Sequence, residues 1–99
     1  MSDSVSQAIV DHSGDTVLLS GVLNFVSAPE TLETVSSLIR VNDKLNVDLS
    51  GVVESNSAGL ALLIEWLAVA RREGHSVTFH HIPDSLHQLA GVCQVDGLI

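Results

Sequence analysis

Three polar residues, Ser55, Asn56 and Ser57, stand directly ahead of the most apolar segment of the chain, Leu60 to Ala70. A hydroxyl in that place can be a nucleophile, a helix cap or a site of modification, and each use requires different company. A serine nucleophile requires a base in reach and an oxyanion hole. The stretch SNSAG lacks the G-x-S-x-G elbow, and no spacing ties any histidine to it. It is also unlike a phosphate-cradling loop, having no Gly-Lys-Ser/Thr end. A metal centre fares no better. His80 and His81 are adjacent in a strand pattern, so their side chains are expected on opposite faces, away from a shared ion. The residues therefore suggest no catalytic group, no metal and no cofactor, and the expectation is that the protein is not an enzyme.

Two compatible uses remain for Ser57. Its oxygen can cap a helix by accepting from an N–H two or three residues on. Alternatively, a phosphate on the same hydroxyl would sit in the positive field of the helix start and change the local charge by about −2. That change is enough to make or block a protein contact.

The elements around this junction follow from periodicity. Leu45, Val47 and Leu49 alternate with Asn46, Asp48 and Ser50, the pattern of a strand. A helix follows from about Ala58 to Glu73, with Arg71 and Arg72 complementing its C-terminal dipole and Gly74 closing it. Upstream, Ala8 to Val10 and Thr16 to Ser20 read as strands around turn chemistry at His12 to Asp15, and Gly21 to Ser27 as a connection. Ser27 and Glu30 form a capping-box pattern with Pro29 in the first turn. Leu32, Val35, Leu38 and Ile39 give the helix that follows a core face, and Asn42-Asp43 ends it. Val77 to Ile82 reads as a strand, and Pro83-Asp84 opens a last helix, Ser85 to Val92, with Leu86, Leu89, Ala90 and Cys93 facing inward. The order is ββαβαβα, one sheet with helices packed on it. Residues 1–5 are expected to be loose.

On a helical wheel, Leu60, Leu63, Ile64, Leu67 and Ala70 share one side of the helix after Ser57, enough to dock it on a sheet. Leu62, Trp66 and Val69 fall nearly opposite. Either a neighbouring helix covers this second stripe or it is a partner surface, for which a tryptophan among aliphatics is suitable material.

Composition narrows the setting. With 99 residues and 45% apolar content the chain is expected to form one domain with an aliphatic core. A net charge of −8 disfavours nucleic acid and anionic lipid and suits a basic protein partner. Cys93 is the lone cysteine, which fits a reducing cytoplasm and the role of a small buried hydrophobe. The N-terminus reads as no signal peptide, and the apolar run at Leu60 is well short of the ~20 residues of a membrane span, so no direct membrane insertion is expected.

The run LNVDLSGVVESNSAGLALLIEWLAVARREGHSVTFHHIPDSLHQL resembles the STAS domain family: a strand ending D-L-S-G-V, a short loop, then D-S/T-x-G-L opening a helix. The resemblance extends over nearly the whole chain and implies a single STAS domain, 1–99, of α/β class with a mixed four- to five-stranded sheet. Carried over, the family's regulatory phosphorylation position is Ser57, its Gly is Gly59 and its Leu is Leu60. Asn56 departs from the family's Asp, which weighs against kinase control. The GLALL opening and the ARREGHSVT exit are most similar to STAS subunits of ABC-type phospholipid transporters. That resemblance implies a cytoplasmic, non-catalytic regulatory subunit supporting outer-membrane lipid asymmetry. It would be held at the inner face of the inner membrane by the ATPase subunit, itself paired with a permease and a periplasmic lipid-binding subunit. The residues expected at the partner contact are Ser55, Asn56, Ser57, Leu62, Trp66 and Val69. The alternative is an anti-sigma factor antagonist switched by phosphorylation at Ser57. A stand-alone ligand-binding module is a third idea, without a phosphate or nucleotide loop to support it.

Overall fold

The computed structural model describes residues 7–99, so the expectation for residues 1–5 lies outside the described residues. The elements are β1 (Ala8–Ser13), β2 (Thr16–Leu23), α1 (Ala28–Val41), β3 (Lys44–Ser55), α2 (Ser57–Glu73), β4 (Ser76–His80) and α3 (Asp84–Val92), in the expected order ββαβαβα. The four strands form one mixed sheet ordered β1-β2-β3-β4, with β1 antiparallel to β2 and the other pairs parallel. Each parallel pair needs a crossover, and α1 and α2 supply them. Two right-handed crossovers that step the same way across a sheet leave both helices on one face. The burial pattern agrees: Val17, Leu19, Leu45, Val47, Leu49 and Val77 are buried under the helices, whereas Leu18, Thr78 and His80 on the opposite side are exposed.

The strands run longer than apolar alternation suggests. β1 continues through His12 and Ser13 to a tight turn whose Gly14 has φ 61°, and β2 starts beyond it at Thr16. β3 continues past its alternating core to Ser55, because β2 runs on to Leu23 and pairs with it there, Gly21 opposite Val52 and Leu23 opposite Ser55. What reads as a loop before α2 is therefore strand. Gly21 makes this possible: its φ is 93°, and a Cβ there would meet the Gln7 carbonyl oxygen at 2.5 Å. At the other edge β4 stops at His80, two residues before the expected Ile82.

Two capping and packing expectations are corrected. Ser27 precedes α1 but does not cap it. Its backbone is already helical (φ −83°, ψ −19°), where a cap needs an extended residue. Its buried hydroxyl instead donates to the Val22 carbonyl at 2.7 Å, and Asn24 Oδ1 organises the turn by accepting from the N–H groups of Val26 and Ser27. Cys93 is exposed, because α3 ends at Val92 and the chain turns away before the thiol can face the sheet. Leu86 and Ala90 carry the buried side of α3, with Leu89 half-buried.

Candidate functional site

At the β3–α2 junction the chain turns from strand to helix within one residue. Asn56 is extended (φ −133°, ψ −160°), and its Oδ1 accepts from the Ala58 N–H at 2.8 Å. Its own N–H donates to the Leu23 carbonyl, tying the turn to β2, and its carbonyl accepts from the Gly59 N–H. Asn56 is thus the cap, and Ser57, expected in that role, is the first helical residue. The helix starts one residue before Ala58, so the acceptor must come from position 56. Asn and Asp serve about equally well there, so the amide does what the carboxylate of the resembled motif would do.

Ser57 is left exposed at the start of α2. Ser55 is half-buried and turned toward α3, its Oγ 3.4 Å from Ser85 Oγ. Gly59 lets these parts close: a Cβ would lie 3.3 Å from Ser55 Cβ, 3.4 Å from Leu23 Cβ and 3.5 Å from a Leu86 methyl. The structure therefore brings Ser55, Asn56 and Ser57 together at one corner of the molecule.

It does not bring Leu62, Trp66 and Val69 to the surface. They are 3%, 0% and 3% exposed. The covering helix is α1: the Trp66 indole N–H donates to the Leu32 carbonyl at 3.3 Å, while the ring packs against Phe79 at a centroid distance of 6.4 Å. As exposed partner-binding residues, these three are corrected to core, although Leu62 reaches the floor of a groove described next.

Beside Ser57 lies an apolar groove of about 310 Å³. Phe25, Ala28, Pro29 and Leu32 form one wall, and Ala58, Ala61 and Leu62 the other. Phe25 is 70% exposed and Val26 beside it 73%. Ala61 is one turn after Ser57 on the same exposed line of α2. Reading the sequence missed this surface. Its signal was an aromatic-aliphatic pair, Phe25-Val26, inside an otherwise turn-like connection in a chain with few aromatics.

A second polar cluster sits on the open face of the sheet. His80 Nε2 lies 3.0 Å from Asn46 Oδ1, and His81 Nδ1 lies 3.0 Å from Asp48 Oδ1. Asn46 and Asp48 are two apart on β3 and share a face, so both histidines serve one side. The expectation of opposite faces fails because His81 has φ 57°, which breaks the alternation of the strand. The Ser50 N–H, donating at 2.9 Å, and then His81 hold the Asp48 carboxyl below its ordinary value. Among the described residues, no three or more His, Cys, Asp or Glu side chains are grouped to hold a metal ion. No helix of the described residues is long and apolar enough to cross a membrane.

Comparison with known proteins adds a lineage to this geometry. The family model described as "Mlab, STAS domain" matches residues 8–99. The chain is 31% identical over 90 residues to the intermembrane phospholipid transport system binding protein MlaB of Escherichia coli K12, covering 91% of this chain and 88% of that one. Among solved structures it is similar in fold to an anti-sigma factor antagonist from Mycobacterium paratuberculosis, with a TM-score of 0.67 at 19% identity, covering 93% and 80% of the two chains. It is also similar in fold to Mglu, with a TM-score of 0.59 at 24% identity, covering 77% of this chain and spanning only 19% of that one.

Proposed function

The chain belongs to the STAS domain family, and from that premise we propose that it is a non-catalytic subunit of an ABC-type phospholipid transporter. In this reading it works in the cytoplasm and binds the transporter's ATPase subunit through the corner formed by Ser55, Asn56 and Ser57. The observation that carries the proposal is that Ser57 is exposed at the start of α2, directly ahead of Ala58, which with Ala61 and Leu62 lines one wall of an uncovered apolar groove. Such a surface offers shape, a small polar group and dry contact area, the ingredients of a protein interface. The reading gives Ser57 no nucleophilic role, which would need a base within hydrogen-bond reach; among the described residues none is bonded to it. The likeness to MlaB supports the choice of a phospholipid transport system; the ATPase as the contacting subunit is part of the proposal. Fold cannot choose between this role and that of the anti-sigma factor antagonist, because one fold hosts many functions.

The test is affinity purification of the tagged chain from detergent-solubilised membranes of its host. The expected companion is an ABC ATPase together with its permease. Ser57→Glu, which places a longer charged side chain at the exposed start of α2, should remove the ATPase while leaving the thermal melt of the isolated domain unchanged. Recovery of a sigma-regulating kinase in place of the ATPase would replace this reading with the phosphorylation switch, for which the exposure of Ser57 is the favouring observation.

A further inference from the structure

No Lys or Arg lines the groove. All four such residues sit elsewhere: Arg40 in the last turn of α1, Arg71 and Arg72 in the last turn of α2, and Lys44 at the first residue of β3. The groove is built from the first turns of the same two helices. An exposed carboxylate continues each wall along the same line of its helix. Glu33 is one turn along α1 from Pro29, and Glu65 is one turn along α2 from Ala61. Glu65 has a distant ion pair with Arg72, at 3.7 Å with both side chains about half exposed. Such a pair is worth little and leaves the carboxylate open to exchange.

An apolar floor with acidic shoulders selects its occupant. A second copy of this chain, itself at −8, would bring like charge to the rim. An anionic lipid surface would be repelled for the same reason. We infer that the groove receives one bulky apolar side chain from a basic segment of the partner, whose Lys or Arg residues meet Glu33 and Glu65. This rests on the reading of the chain as an ATPase-binding subunit and specifies what the ATPase must present. The apolar anchor supplies affinity in the groove between Phe25 and Ala61. The carboxylates supply approach and register, since rim charges act mainly on association and on salt dependence.

The experiment measures binding of the purified ATPase to the tagged chain at low and high NaCl. Phe25→Ala is expected to weaken binding about tenfold at both salt levels, the effect of losing an interface anchor. The double variant Glu33→Gln/Glu65→Gln is expected to bind more weakly at low salt and to lose most of the wild-type salt dependence. Melting curves check that both variants are folded, the result expected from their exposed positions. If both variants bind as wild type while Ser57→Glu still breaks the complex, the groove inference is overturned and the ATPase-binding role survives. If the double variant binds more tightly, the basic character of the segment is wrong and the inference falls. If the wild-type chain does not bind the ATPase at all, both readings fall together.

Discussion

Two apolar surfaces meet near the start of α2, and only one of them is bare. The stripe Leu62, Trp66 and Val69 is sealed beneath α1, down to a hydrogen bond from the Trp66 ring to the Leu32 carbonyl. The pair Phe25 and Val26, on the connection that leads into α1, is open to solvent. The difference teaches what helical periodicity can and cannot say. A periodic apolar stripe states that something must cover it; it does not name the cover. Here the cover is intramolecular because consecutive crossovers place α1 and α2 side by side on one face. Phe25 has no periodic partners, and the Asn24–Ser27 hydrogen bonds fix its turn without burying it.

The largest effect separates these surfaces most sharply. Trp66→Ala should destabilise the domain by about 3–5 kcal/mol, the usual cost of emptying a large buried aromatic site. It also leaves the Leu32 carbonyl without its indole donor. Chemical denaturation reads this directly. A loss of stability under about 1 kcal/mol would show that the stripe is poorly covered and would return it to the candidate surface.

The junction between the two surfaces gives the next effect. Asn56→Ala removes the cap on the Ala58 N–H and should cost about 1 kcal/mol, whereas Ser57→Ala, one residue on, should change stability by less than about 0.5 kcal/mol. The contrast between the two variants matters more than either value. If Ser57→Ala were the costlier change, the hydroxyl would be structural and its proposed role at a partner contact would lose its support.

The frame of the fold was open to reading because its signals are local. Alternation at Leu45, Val47 and Leu49 and the helical spacing of Val35 and Ile39 depend on neighbours a few residues away, and both elements form as expected. The cluster Ser55-Asn56-Ser57 was legible as a junction for the same reason. The roles within it were not. Whether position 56 or 57 caps depends on one backbone angle pair, which is set by the tie from Asn56 to Leu23 on a different strand. The burial of Trp66 depends on a helix more than thirty residues away. The groove depends on two helix starts converging, which no window of sequence contains.

A smaller effect tests the bare surface. Phe25→Ala should leave stability within about 0.5 kcal/mol of wild type, since little of the ring is withdrawn from water. Set beside Trp66→Ala, this contrasts two aromatic truncations: one is expected to cost folding, the other only the proposed binding. A substantial loss of stability for Phe25→Ala would mean that the ring folds over the groove and closes it in the free protein.

The smallest effect concerns the other bare region, the helix-free face of the sheet. Asp48 titrates below its ordinary value, held there first by the Ser50 N–H and then by His81. A carboxyl whose folded value lies below its unfolded one stabilises the fold fully above the unfolded value, and that contribution is lost as pH falls through the folded one. Asp48→Asn keeps an oxygen that can accept from the Ser50 N–H but removes the charge. Near neutrality the wild type should therefore melt at a slightly higher temperature than the variant. The gap should close as pH drops below about 3.8, the ordinary value for this carboxyl. Parallel melting curves across the acid range would show that the charge contributes nothing and that the His81 contact is incidental. A closing gap would show that the Asp48 charge helps to hold this uncovered face through polar contacts of its own, whereas the groove at Phe25 is lined by apolar side chains.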